Sequence, residues 1–466
     1  MKKRVLMVLL TVLVLFQALP SLALSGVPQE EFNEFIRNIR EEKRIDRIGY
    51  LVLAQISVSR SNDNRVLQSA GKILYAGADG YLTHVNHVRL QRMEKANLKP
   101  RVLDKKRLDD HSEAWYMVWV PTAEDEARLT KLFEPILKLE NTILVRIRPE
   151  DEVEIGMLGL HYSLIDETLQ PLRSLPIKRE PARTIRVIHA IQGLISQITQ
   201  ESLQAIVQKL QDFKSRHVSQ PGNSQASLWL AEEFRKIPGL EVTTPLFKTS
   251  AGELMNVVAV KKGSKDPNQV YVLCGHHDST VSSYDRKVAP GADDNASGAG
   301  AVLAIARIIG SFDFPFTVIF AGMNAEESGL LGSKAFVKTL AATSGLQIKA
   351  VFNMDMIGDK DDNDVAVIGN TNSNWLIDVF KDVALAYTGL KSTCQYNSNI
   401  WQSDHSSFWN IGAPAILTIE GYPEYSKYYH SVNDLVKNMS FSFMEKVTRS
   451  NMAALLTLNT PVFPQP

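Results

Sequence analysis

Five stretches of the chain gather the residue types that can bind a cation and move a proton. Gly275-His276-His277-Asp278-Ser279 follows an apolar run, Val270 to Cys274. There His276 offers a neutral imidazole, and Asp278 can accept its other N–H and fix the ring. His277 is expected to point elsewhere. Gly291-Ala292-Asp293-Asp294-Asn295-Ala296-Ser297-Gly298 sets two adjacent carboxylates among small residues, just before a helical apolar pattern (Ala301, Val302, Leu303, Ile305, Ala306, Ile308, Ile309). A carboxylate in such a loop can bridge two cations, one through each oxygen. Asn324-Ala325-Glu326-Glu327-Ser328-Gly329 also follows an apolar run, and its two glutamates can divide the work, one binding metal and the other taking a proton. Asp355 sits inside Val351-Phe352-Asn353-Met354-Asp355-Met356-Ile357. A buried, unpaired carboxylate is costly, so Asp355 needs a cation or strong donors. Tyr428-Tyr429-His430-Ser431-Val432-Asn433-Asp434 supplies a second imidazole with Asp434 as a possible acidic orienter.

Each stretch alone is a weak or moderate signal: the His276 and Glu326-Glu327 stretches alone would more readily be polar loops, and the Asp293-Asp294 loop a helix cap. Their combination points to one centre. His276, Asp294, Glu327, Asp355 and His430 form a ligand set, and Glu326 remains as base. Mixed nitrogen and oxygen donors suit Zn²⁺, whereas all-oxygen sites suit Mg²⁺ or Ca²⁺. One bridging carboxylate, with one histidine and one carboxylate per ion, makes two open zinc sites sharing an activated water.

These stretches need a scaffold that brings strand ends together. Apolar runs at 256–260, 270–274, 316–321 and 351–357 read as strands; patterns at 185–198, 203–213 and 224–237 read as helices. Strands alternating with helices to the carboxyl terminus indicate an α/β fold with a largely parallel central sheet. Ligands in such sheets sit at the carboxyl ends of strands. Residues 26 to about 170 read as a smaller α/β domain. Its strands are expected at 50–56, 115–120 and 142–147, with a helix starting near Thr122 and carrying Leu129, Leu132, Phe133, Ile136 and Leu137. Its His84, His87 and His111 lie outside any dense ligand cluster and read as surface or core residues. Residues 171–183, rich in proline and basic residues, read as an exposed linker. The catalytic domain is expected over 184–466.

The chain has 466 residues, with 51 Lys plus Arg against 51 Asp plus Glu, a balance that gives no electrostatic case for a nucleic-acid or anionic-membrane partner. Residues 1–25 open with Lys2, Lys3 and Arg4, continue as an apolar core and end in small residues, which reads as a cleaved signal peptide and a secreted or periplasmic protein. No membrane association is expected after cleavage, and the mature protein is expected to be a monomer. Cys274 and Cys394 are the two cysteines; a single disulfide and two free thiols are both open.

Across roughly 198–459 the chain resembles the secreted two-zinc aminopeptidases of the bacterial leucyl aminopeptidase type. The resemblance rests on His276-x-Asp278-Ser279, Pro290-Gly291-Ala292-Asp293-Asp294, Ala325-Glu326-Glu327-x-Gly329-Leu330-x-Gly332-Ser333, Asp355-Met356, Ser403-Asp404-His405 and His430-x-x-x-Asp434. It implies a three-layer α/β/α zinc-exopeptidase domain with a mixed, largely parallel sheet. It implies two Zn²⁺ ions bridged by Asp294, with Glu327 and His430 on one and His276 and Asp355 on the other. Glu326 would be general base and acid, Asp278 a supporting catalytic residue, and peptide or protein amino termini the substrate. Some relatives place an oxyanion-polarising tyrosine three residues before Ser-Asp-His, where this chain has Ile400; others place it before the last histidine, which here is Tyr429. The role passes to Tyr429. The cysteine pair that brackets this loop in some relatives is absent, and Cys394 does not match it. Met356, Ile400, Tyr422, Tyr425 and Tyr428 are expected to line an apolar pocket favouring Leu-like residues. Secreted relatives often carry an amino-terminal propeptide, which 26–170 would correspond to. The alternatives on the same fold are a glutaminyl cyclase, a carboxypeptidase, or an inactive binding module.

Overall fold

The structure is a computed structural model. It describes residues 48–54, 72–165 and 187–462, apart from 78–79, 96–97, 108–111, 140, 149–150, 159, 250–251, 284, 360–362, 397, 399 and 422–425. The signal segment, the linker, His111, Tyr422 and Tyr425 therefore lie outside the described residues. Among those described, no helix is long and apolar enough to cross a membrane.

The amino-terminal region holds two four-stranded sheets. β1 (Ile48–Ala54), β2 (Lys72–Gly77), β3 (Gly80–Asn86) and β4 (Pro100–Arg107) pair in the order β2-β3-β1-β4. β5 (Ala114–Trp119), β6 (Pro135–Leu139), β7 (Thr142–Ile147) and β8 (Tyr162–Leu164) pair in the order β6-β7-β5-β8. The helix expected from Thr122 is present at Ala123–Leu132, capped by the Thr122 side chain. It stops before Ile136 and Leu137, which lie in β6 instead. Pro135 is the reason: its ring disfavours helical backbone at Glu134 and opens an extended segment.

The carboxy-terminal region is built on an eight-stranded mixed sheet: β9 (Glu241–Thr243), β12 (Val257–Lys261), β13 (Asp266–His276), β14 (Phe316–Met323), β15 (Gln347–Met354), β16 (Asp364–Gly369), β17 (Lys391–Gln395) and β18 (Ala415–Glu420). Their order is β17-β16-β18-β15-β13-β14-β12-β9, and β10 (Leu246–Thr249) with β11 (Gly252–Met255) form a separate hairpin. Pairs β13–β14, β13–β15, β15–β18 and β16–β17 are parallel, while β12–β14, β9–β12 and β16–β18 are antiparallel. Both faces are covered, which makes three layers. Tyr271 and Leu273 of β13 face a core shared with helices Gly298–Ile309, Asn374–Thr388 and Phe441–Leu458. Val270, Val272 and Cys274 face the opposite core, under helices Leu331–Ala342 and His405–Asn410. A strand buried on both faces reads as a continuous apolar run, which is why β13, β14 and β15 were legible.

β13 is the switch point of the sheet, because the chain passes from it to β14 on one side and then to β15 on the other. A crevice at the carboxyl ends of strands is expected there. Cys274 and Cys394 are free thiols. They lie on β13 and β17, four strand spacings or about 19 Å apart, beyond any disulfide.

Candidate metal centre

All five expected ligands sit at the carboxyl edge of neighbouring strands. His276 ends β13, Asp355 follows β15, Glu326 and Glu327 follow β14, and His430 lies in the loop after β18. Asp294 lies on the crossover that leaves β13 and enters helix Gly298–Ile309. That crossover is stitched to the Asp355 segment. Asn295 accepts from Gly298 N at 2.7 Å and donates to Met354 O at 2.9 Å. Ser297 Oγ accepts from Ile357 N at 3.1 Å. Gly298 permits the approach, since a Cβ there would lie 2.0 Å from Met354 O. The Glu326-Glu327 loop is held by an amide network: Asn324 N donates to Asn256 Oδ1 at 3.0 Å, and Asn324 Nδ2 to Asn223 Oδ1 at 2.9 Å. Ala325, Met356 and His430 all have positive φ (54°, 52° and 50°). Such backbone is sparsely populated for residues with a Cβ, and it persists where the surrounding structure fixes it.

The geometry is twofold and mirrored. His276 Nε2 lies 3.3 Å from Asp294 Oδ1 and 3.3 Å from Asp355 Oδ1. His430 Nε2 lies 3.2 Å from Asp294 Oδ2 and 3.0 Å from Glu327 Oε2. Asp294 thus presents a different oxygen to each histidine. A ring nitrogen carries one proton and cannot serve two carboxylates well. A cation between the three donors can: with Zn–N and Zn–O bonds near 2.0–2.1 Å, the edge of a tetrahedron is about 3.3 Å. The donor set and its spacing therefore fit a divalent ion on each side of Asp294.

The electrostatics agree. Burial raises Glu326 well above the ordinary carboxylate range, with Glu327 and Asp355 adding to it. Burial and then Asp294 push Glu327 up to about 7. Burial alone would lower His430, but Glu327 and Asp294 override it and hold it at about 10. Asp294 moves the other way: burial opposes ionisation, yet bonds from His276 and His430 hold it below its ordinary value. By itself the protein satisfies this cluster only by taking up protons, and divalent ions would supply the missing positive charge.

The supporting residues divide as follows. Asp278 Oδ1 faces His276 Nδ1 at 3.4 Å and accepts from Glu326 N at 3.1 Å; its Oδ2 accepts from Glu327 N at 3.3 Å. It therefore ties the histidine to the glutamate loop as well as orienting it. His277 turns away and meets Ser227 Oγ at 2.7 Å. Ser403 donates to Asp355 Oδ2 at 2.6 Å, which gives the Ser-Asp-His motif a positioning role. His405 meets the Ile400 carbonyl at 2.8 Å. Asp434 does not orient His430, contrary to the sequence expectation. Its carboxylate accepts from Asp293 N at 2.8 Å and Asp294 N at 3.0 Å, so it anchors the bridging loop. Backbone N–H groups at a tight loop outcompete a ring four residues away. Tyr429 stacks on His430 with ring centroids 3.8 Å apart. Met356 and Tyr429 line the cleft together with Gln402 and Ile419, and Ile400 packs beside Met356.

Two residues that sequence reading passed over matter here. Arg216 is fully buried and donates to the carbonyls of His277, Leu210, Pro290 and Gly291 at 2.6–3.2 Å. It fastens the His276 loop to the Asp294 loop, and nothing in Ser215-Arg216-His217 marks it. Arg216→Met should destabilise the fold by about 3 kcal/mol or more, since it strands four buried carbonyl acceptors, each costing about 1–3 kcal/mol. Urea unfolding checks this; a midpoint within error of the parent would contradict it. The other residue is His161 of the amino-terminal region. His161 Nε2 is hydrogen-bonded to the Tyr429 hydroxyl. Its ring lies 5.1 Å from that of His430, and it forms a potential metal cluster with Glu327 and His430. Burial, then His430, lowers its pKa to about 3. A histidine followed by Tyr162 in an unremarkable strand carries no local signal. By contrast His84 stacks edge-on against Trp115, and His87 pairs with Gln91 at 2.9 Å, as expected of structural histidines.

Residues 256–455 match the model of peptidase family M28. A probable zinc metalloprotease of Pyricularia oryzae is 28% identical over 336 residues, covering 58% of this chain and 66% of that protein, so the chain spans just under two thirds of that relative's length. Leucine aminopeptidase 1 of Ajellomyces capsulatus is 27% identical, covering 57% and 72%. The LapA aminopeptidase of Legionella pneumophila shares the fold with a TM-score of 0.60 at 18% identity, over 75% of this chain and 99% of that one.

Proposed function

We propose that this chain, whose residues 256–455 match peptidase family M28, is a secreted zinc-dependent metallo-exopeptidase that removes single, preferentially apolar residues from the amino termini of peptides. The observation that supports this most is the mirrored pair His276–Asp355 and His430–Glu327 around Asp294, with Glu326 beside it. In this reading His276, Asp294 and Asp355 hold one zinc ion, and Asp294, Glu327 and His430 hold the second. When bound, the ions supply Lewis acidity, acidifying a water and polarising the scissile carbonyl. Glu326 takes the proton from the attacking water and delivers it to the departing amine nitrogen. Both its carboxylate oxygens are buried without a hydrogen-bond partner, and Oε2 lies 3.9 Å from His276 Nε2, so the group is placed to carry a proton across the site. Tyr429 offers its hydroxyl to the developing oxyanion. Met356 and Ile419 on the cleft wall favour an apolar side chain such as leucine.

Secretion rests on the charge and apolar order of residues 1–25. Residues 26–170 are read as a propeptide-like domain, and the mature enzyme as a monomer. A panel of aminoacyl amides assayed with and without chelator tests the activity. Hydrolysis of Leu, Met or Phe amides should disappear on chelation and return with zinc. Hydrolysis only of carboxy-terminal residues, or cyclisation of amino-terminal glutamine, would overturn the reading.

A further inference from the structure

Strand β8 brings the amino-terminal region onto the metal centre. Trp119 N donates to the His161 carbonyl at 2.8 Å, so the β5–β8 pair presents both side chains at one edge. The edge is docked firmly. Lys334 Nζ donates to Leu164 O at 2.7 Å, and Arg286 Nη2 to Gly156 O at 2.8 Å. The Tyr162 ring lies against Gly329, where a Cβ would come within 3.0 Å of it. Trp401 packs into the apolar cluster of Leu51, Leu82 and Trp115.

The docking fills the cleft. Trp119 and His161 line it together with Asp294, Glu326, Asp355 and Tyr429, and the space left is about 20 Å³. That holds about one water molecule. A ring nitrogen of His161 and ligand atoms of Glu327 and His430 lie within 4.8 Å of one another. The same ring is hydrogen-bonded to Tyr429.

We propose that His161 is a removable ligand for the zinc position formed by Glu327 and His430. Through it the amino-terminal domain keeps the peptidase latent, occupying the open coordination position and the Tyr429 hydroxyl together. This deepens the exopeptidase reading and rests on it for the word latent, but ligation by His161 is testable without any substrate. Unlike a domain that merely stands in the entrance, such a plug makes metal retention in the intact chain depend on one imidazole.

The test uses the full-length chain loaded with cobalt(II), comparing parent, His161→Ala, His161→Gln and Trp119→Ala. Loss of the imidazole should change the visible cobalt absorption and speed release of one cobalt to a chelator, in both His161 variants and not in Trp119→Ala. With zinc restored, kcat/KM on a small aminoacyl amide should rise about tenfold if nine in ten parent molecules are closed. Thermal unfolding confirms that each variant is folded; if His161→Ala is not, His161→Gln decides. An unchanged cobalt spectrum overturns the proposal. So does a matching spectral change in Trp119→Ala, which would report loosened packing instead of a lost ligand. Reduced activity in both His161 variants would make the residue part of the working site and overturn latency. If no form cleaves any aminoacyl amide while the spectrum still follows His161, ligation stands and the exopeptidase reading falls.

Discussion

Glu326→Gln should retain both metal ions and lose about 10²–10⁴-fold or more in kcat, the range expected when a positioned proton carrier is removed. The amide keeps the volume of the carboxyl but cannot accept the proton of an attacking water. The site also allows the substitution structurally. Both Glu326 oxygens are buried without a hydrogen-bond partner, so no donor is stranded by the change. Burial raises this carboxyl well above its ordinary range, and occupied metal sites would pull it back towards the operating pH. Metal analysis beside steady-state kinetics decides the assignment. Retained activity would remove Glu326 from the chemistry. A variant lacking zinc would make it a ligand instead, an option its proximity to His276 and Asp355 leaves open to measurement.

Asp294→Ala should affect metal content most. Asp294 faces both histidines, through Oδ1 at 3.3 Å and Oδ2 at 3.2 Å. Two divalent ions held roughly 3.5–4 Å apart repel strongly unless a shared anion lies between them. Without that carboxylate at least one equivalent of zinc should be lost, and activity with it. The polypeptide should still fold, because the loop is anchored through backbone contacts that alanine keeps: Asp434 accepts from the amides of residues 293 and 294. Far-ultraviolet circular dichroism and metal analysis on the same sample separate the two effects. Two equivalents of zinc bound as tightly as in the parent would show that Asp294 is not the bridge.

The sequence by itself determined the elements whose identity depends on local pattern. β13, β14 and β15 are buried on both faces, so their apolar runs were continuous and visible. The residues just past their ends followed without further assumption, because parallel strands pointing the same way put His276, Glu326, Glu327 and Asp355 on one edge. Thr122 marked a helix start through its side-chain cap; the helix end was missed where Pro135 intervened. What only the tertiary structure decided depends on residues distant in sequence. Asp434 reads as a partner for His430, four positions away, yet it bonds amides some 140 positions away. Arg216 looks like any basic loop residue until it is seen buried under four carbonyls from three segments. His161 is 268 positions from the tyrosine it touches and lies just before β8 of the amino-terminal region. Periodicity reports which face of a segment is buried. It carries no record of which other segment covers that face, because docking is set by shape and charge summed over both surfaces. The chemistry was therefore legible in motifs, and the residues by which the amino-terminal domain meets it were not.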